Sequence, residues 1–146
     1  MSEIATPESL RFRQDEPADE PAVSLDAFLD QPNAVSVRIE GGDDVRRLGP
    51  ALDRLKLVEI DFPRFRDGRG YSSARILREM GYKGELKAVG DVLVDQLLFM
   101  RRCGFDSFAP EQPIDLAIAL RALNQYDFVY QQAADGRVPV WKLRHG

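Results

Sequence analysis

Cysteine and histidine are almost missing from this chain: Cys103 and His145 are the only ones in 146 residues. One cysteine excludes an intramolecular disulfide, an all-cysteine zinc site and a four-cysteine iron–sulfur cluster within a single chain, and fits a reducing compartment. Cys103 ends an apolar helical stretch beside Arg101 and Arg102, and is read as a buried structural thiol rather than a reactive one. His145 stands one residue from the end, so it reads as a frayed-tail residue and not as a general base. A net positive charge is also lacking. The formal charge is -4, which removes the cationic field that nonspecific nucleic-acid binding requires. No run of about 18 apolar residues occurs and no basic, apolar leader opens the chain, so neither a membrane span nor secretion is expected. The expectation is a cytoplasmic protein with no nucleic-acid or membrane partner.

What the chain does contain is an alternation of strand and helix patterns. Residues 1–22, with "DEPADEP" as their signature, read as a flexible acidic segment, because such a composition buries too little apolar area to offset its ordering entropy. Residues 23–146 read as one α/β domain. "SLDAFLD" predicts a short helix capped by Ser24. "AVSVRIE" alternates as a half-buried strand and "GG" ends it. Val45, Leu48, Leu52 and Leu55 form one helical stripe that Pro50 must kink or start. "LVEIDF" and "ELKAV" are further strands, with a helix from about Ser72 to Met80 between them and Gly81 as its stop. "GDVLVDQLLFMRRCG" predicts a helix capped by Asp91, followed by a strand at "FDSF" and a helix at "IDLAIALRALN". Alternating elements of this length imply a small, mainly parallel sheet with flanking helices, of the open flavodoxin-like or half-barrel-like kind. "YDFVYQQAADGRVPVWKL" predicts a C-terminal antiparallel hairpin, with Tyr130 and Trp141 completing local packing.

The segment "RFRDGRGYSS" lies between a strand and a helix, and it carries the candidate site. Gly68 and Gly70 permit close backbone approach, Ser72 or Ser73 can cap the helix, and Arg64, Arg66 and Arg69 supply charge. Free amides at a helix start beside guanidinium groups favour phosphate, sulfate, sulfite or carboxylate. A second reading stands beside this one: a tight turn whose arginines pair with Asp61, Asp67 or Asp91. The spacing is neither a Walker loop nor a three-glycine dinucleotide fingerprint, and no cofactor or metal is expected. Asp91 and Tyr71 are the candidates for proton transfer. Asp91 and Asp95 would share a helical face if the helix began at Asp91. On that helix Leu93, Leu97 and Met100 form an apolar row while Val92 and Phe99 fall nearer the face bearing Asp95 and Arg102; burial of the whole helix within its own domain is the first reading, and cover of one side by a partner the second.

The stretch from Ile60 to Phe108, with "DFPRF", "DGRGYS", "GELKAVGDVL", "DQL" and "RRCGFD", resembles a bacterial family of uncharacterised proteins encoded beside sulfite reductase and often labelled a probable oxidoreductase of sulfite reduction. The resemblance implies a role in assimilatory sulfur metabolism, next to the sirohaem and iron–sulfur reductase. It transfers no catalytic residue, and Lys87 and Val94 stand where relatives are expected to carry arginine and a polar residue. The leading expectation is an accessory protein that acts with sulfite reductase, has no independent activity and holds a small oxyanion at the arginine loop. The alternatives are a small enzyme acting on a sulfur oxyanion or a phosphorylated compound, and a structural homodimer without a ligand.

Overall fold

A computed structural model describes residues 3–63 and 68–124. Five strands are joined by helical connections: β1 (Val23–Ser24), α1 (Leu25–Asp30), β2 (Ser36–Ile39), a 3₁₀ helix (Val45–Arg54), β3 (Leu57–Phe62), α2 (Arg69–Glu79), β4 (Glu85–Gly90), a 3₁₀ turn (Val94–Gln96), α3 (Leu97–Cys103), β5 (Ser107–Pro110) and α4 (Leu116–Leu123). Every pairing is parallel, and the spatial order β1-β2-β3-β4-β5 repeats the chain order. This is the half-barrel-like member of the predicted pair, since a flavodoxin-like sheet would reverse direction at a switch point. Right-handed crossovers that always advance the same way bring their helices to one face. Accordingly the Val45–Arg54 helix touches α2, α2 touches α3, and α3 touches α4.

The burial follows the pleat. Val37, Ile39, Val58, Ile60, Phe62, Leu86, Ala88 and Phe108 are buried in one cluster with Leu48, Ala74, Leu77, Leu97 and Met100 from the helical layer. Each large apolar side chain there contributes roughly 1.5–3 kcal/mol of burial. Cys103 is buried and unpaired, in keeping with the structural reading. Pro50 sits inside the Val45–Arg54 segment, and a proline that deletes an α-type donor accounts for the tighter 3₁₀ winding.

Two caps differ from the sequence reading. α2 begins at Arg69, with Gly68 at φ 90° as its cap and no side-chain capping bond. A glycine in the left-handed region turns the chain into the helix earlier than a serine cap would, so Ser72 and Ser73 lie within the helix and the Ser72 amide donates to the Gly68 carbonyl at 3.3 Å. Asp91 does not cap a helix either. Gly90, at φ 90°, redirects the chain, the Asp91 amide donates to the Phe62 carbonyl at 2.7 Å, and helical winding starts only at Val94. Asp91 and Asp95 therefore share no helical face.

Part of the N-terminal segment lies against the sheet. Phe12 donates its amide to the Asp106 carbonyl at 2.7 Å and Leu10 accepts from the Phe108 amide at 3.1 Å, so this stretch runs antiparallel along the edge of β5. Leu10 is fully buried, and Phe12 meets Phe108 edge-on at 6.2 Å. Apolar residues at 10 and 12 and the edge of a short strand offset an ordering cost that the acidic composition alone would not. The predicted hairpin over 126–143, with Tyr130 and Trp141, lies outside the described residues, as do His145, Arg64, Arg66 and Asp67.

Candidate functional site

In a sheet without a switch point, the loops at the carboxyl ends of the strands are the natural place for a ligand, as in a barrel. Here the loops after β2 and β3 come together. "EGGDD" turns the chain at the end of β2, with Gly42 at φ 93° and the Asp43 carboxylate accepting the Glu40 amide at 2.9 Å. The Arg69 side chain reaches across to this turn: a Cβ added to Gly41 or Gly42 would meet its Nη1 at 3.9 or 3.8 Å. Between them lies a cavity of about 200 Å³ lined by Gly41, Asp43, Asp61, Phe62, Arg69 and Ser73, among others. A more open cleft of about 420 Å³ adjoins it, and Gly68 and Ser72 join Arg69 and Ser73 in its wall.

Among the sequence-predicted anion residues, the described ones, Gly68, Arg69, Gly70, Ser72 and Ser73, therefore converge on these two cavities. Gly70 has a packing reason as well, because a Cβ there would lie 2.6 Å from Phe62 Cε1 and 3.2 Å from Ile60 Cγ2. Only glycine lets the first turn of α2 rest on β3 at that distance. The charge balance is mixed. Glu40, Asp43 and Asp61 supply three carboxylates against the one guanidinium of Arg69 among the described lining residues. Part of that negative charge is already engaged, since Asp61 accepts from Arg38 at 3.4 Å across the strand pair. The pocket can present a cation, several acceptors and an apolar floor to one small polar molecule.

Sequence reasoning missed the β2 turn, reading its glycines only as a strand end. The available signal was two glycines followed by two aspartates at the carboxyl end of a strand parallel to "LVEIDF". Asp91 and Tyr71, the predicted proton carriers, line neither cavity. Asp91 follows β4, beside Phe62. Tyr71 is instead part of a row of rings that runs from the core to the surface. Phe105 lies 5.7 Å from Phe62, Phe62 lies 5.1 Å from Tyr71, and Tyr71 lies 5.0 Å from Phe99. Phe99 is 45% exposed and Leu93 is 43% exposed, and the Arg75 guanidinium sits 5.8 Å from the Phe99 ring centre. The helix after β4 thus buries Leu97, Met100 and Cys103 and leaves a ring outside.

These features define a parallel α/β protein with a small mixed-charge pocket at the carboxyl end of its sheet and an exposed aromatic face beside the helix that frames the pocket. The chain belongs to a bacterial protein family of unknown function, DUF934, whose model matches residues 36–141. Neither a curated protein nor a solved structure matches it. The match begins at β2, so the docked N-terminal segment, β1 and α1 precede the span of the family model. Among the described residues no group of histidine, cysteine and carboxylate side chains is placed to hold a metal, and no helix is long and apolar enough to cross a membrane.

Proposed function

We propose that this chain is a cytosolic accessory protein of assimilatory sulfite reduction that docks on sulfite reductase through the face around Phe99 and holds a small sulfur oxyanion at the adjoining arginine loop. The observation that carries the reading is the exposure of Phe99, stacked on Tyr71 and flanked by Arg75. Aromatic rings beside arginine are the residues that most often anchor a protein interface. Tyr71 belongs to the first turn of the helix that also carries Arg69, Ser72 and Ser73, so partner and ligand would meet the same element. The choice of partner rests on the resemblance of the Ile60 to Phe108 stretch to proteins encoded beside sulfite reductase.

The test is a binding titration of the purified chain against sulfite reductase, with Phe99→Ser beside the native chain. Micromolar association that Phe99→Ser abolishes supports the reading. Absence of association at those concentrations, with unchanged reductase activity, overturns it.

The enzyme reading retains one observation in its favour, the enclosed cavity that brings Arg69 together with Asp43 and Asp61. Turnover of sulfite or a phosphate ester by the isolated chain, lost in Arg69→Ala, would establish that reading instead. A change in the oligomeric state of Phe99→Ser in the absence of reductase would assign the face to a homodimer.

A further inference from the structure

A second concentration of charge lies at the other end of the sheet, where β4 and β5 begin. A cleft of about 230 Å³ opens there, and among the described residues that line it are four cationic side chains, Arg13, Arg78, Lys83 and Arg101, and one carboxylate, Asp106. Both oxygens of that carboxylate are engaged. Its Oδ2 accepts from Arg13 Nη1 at 2.7 Å and from Arg78 Nη2 at 3.1 Å, and its Oδ1 accepts the Leu86 amide at 2.9 Å. Among the described residues Asp15 also pairs with a lining residue: it accepts from Arg13 outside the cleft and is more than half exposed.

The four cations differ in what they are doing. Arg78 is spent on structure: it donates to the carbonyls of Tyr82, Gly84 and Gly104 at 2.8–3.0 Å as well as to Asp106. Burial lowers its pKa, which marks a charge only partly compensated by its surroundings. Gly104 makes its position possible, because a Cβ there would lie 2.6 Å from Arg78 Cγ. Arg13 uses three of its five N–H groups, leaving two without a partner among the described residues. Arg101 donates to the Phe105 carbonyl at 3.1 Å. Lys83 is exposed at the rim and makes no ion pair among the described residues.

We infer that this cleft is a binding site for a small oxyanion of sulfate or phosphate size, distinct from the loop site at the carboxyl end of the sheet. Arg78 holds the floor and supplies fixed positive charge. Arg13 and Lys83 supply the N–H donors that face the ligand. The volume suits a tetrahedral anion or the terminal group of an ester and is too small for a nucleotide.

Calorimetric titration of the full chain with inorganic phosphate, and separately with sulfate, at constant ionic strength tests this. Saturable binding is expected, weakened about tenfold or more in Lys83→Glu, since one charge-assisted contact is worth about that factor. Arg121→Glu, an equal charge change on an exposed residue that does not line the cleft, should leave it unaltered. The same titrations are run in the Arg69→Ala background, which removes binding at the loop, and the Lys83-dependent binding should persist there, which separates this site from the loop. Lys83 is exposed, so Lys83→Glu is expected to fold, and its melting temperature verifies this. No saturable binding of either anion up to about 10 mM overturns the assignment. Binding that Lys83→Glu leaves intact, or that Arg121→Glu weakens equally, overturns it as well.

Discussion

Arg13 and Asp106 are 93 positions apart in the chain and 2.7 Å apart in the fold. Through this contact the docked N-terminal segment is tied to the start of β5, and through the same carboxylate β5 is tied to Arg78 of α2 and to the Leu86 amide of β4. Asp106 therefore joins four parts of the molecule with one side chain that is 10% exposed.

Removing it should be among the most damaging single changes available. Asp106→Ala leaves Arg78 buried without its counter-charge and the Leu86 amide without an acceptor. A loss of about 3–5 kcal/mol is expected, the usual range when one partner of a buried pair is deleted. Arg13→Ala removes a more exposed partner and leaves Asp106 with Arg78, so a smaller loss of about 1–2 kcal/mol should result. Urea unfolding of both variants gives the ordering, and an Arg13→Ala chain as stable as the native one would show that the N-terminal segment contributes nothing through Arg13.

Acid should loosen the same segment. The hydrogen bond from the Arg13 guanidinium, helped by Arg11, holds the Asp15 carboxyl down at about 2, against an ordinary value of 3.8. Because the folded value lies below the unfolded one, the stabilisation is fully present above about pH 4 and is lost as pH falls towards 2. Melting temperatures of the native chain and Asp15→Asn should differ at pH 6 and converge near pH 2. Exposure of the carboxylate keeps the difference small.

The strands were legible because each has its own local pattern. "LVEIDF" alternates, "ELKAV" and "AVSVRIE" do so in part, and Gly81 and Gly104 mark helix ends with positive φ where the sequence put stops. Parallel pairing followed from the alternation of strand with helix. What escaped depends on contacts distant in sequence. Val23 and Ser24 pair as β1 only because β2 is there to receive them, and the docking of residues 10–13 needs Asp106 and Phe108. The cap of α2 escaped for a local reason: Gly68, Ser72 and Ser73 all have the chemistry of a helix start, and backbone conformation chose the glycine. Of the site, the β3 side was read from "DGRGYSS", and the β2 side was missed because its aspartates look like ordinary turn residues.

The glycines at the carboxyl end of the sheet offer a graded test of backbone conformation against space. Gly68 and Gly90 both have φ 90°, so alanine is strained at either position by about 1–2 kcal/mol. At Gly68 the added methyl meets nothing among the described residues within 4 Å, whereas at Gly90 it would lie 2.6 Å from the Phe62 carbonyl oxygen and 2.7 Å from Asp61 Oδ1. A backbone oxygen inside a parallel sheet has no room to retreat. Gly68→Ala should therefore cost about 1–2 kcal/mol and Gly90→Ala at least about 3 kcal/mol. Chemical denaturation measures both, and an equal cost at the two positions would contradict the close approach of β4 to the end of β3.

Phe99 separates a docking role from a structural one. Its ring rests on Tyr71 and under Arg75 and is nearly half exposed, so truncation to serine forfeits only part of its burial, about 1 kcal/mol. If the residue served packing alone, its removal would be felt in stability and nowhere else. If it is a docking anchor, Phe99→Ser should melt within a few degrees of the native chain while losing at least about 2 kcal/mol of binding to the reductase. Leu97→Ala is the matching control, since Leu97 is fully buried in the same helix. It should lower stability by about 2–5 kcal/mol and leave the affinity of the folded fraction unchanged. Thermal melts run beside a binding titration distinguish the two patterns, and a Phe99→Ser chain that binds with native affinity would remove the aromatic face from the interface.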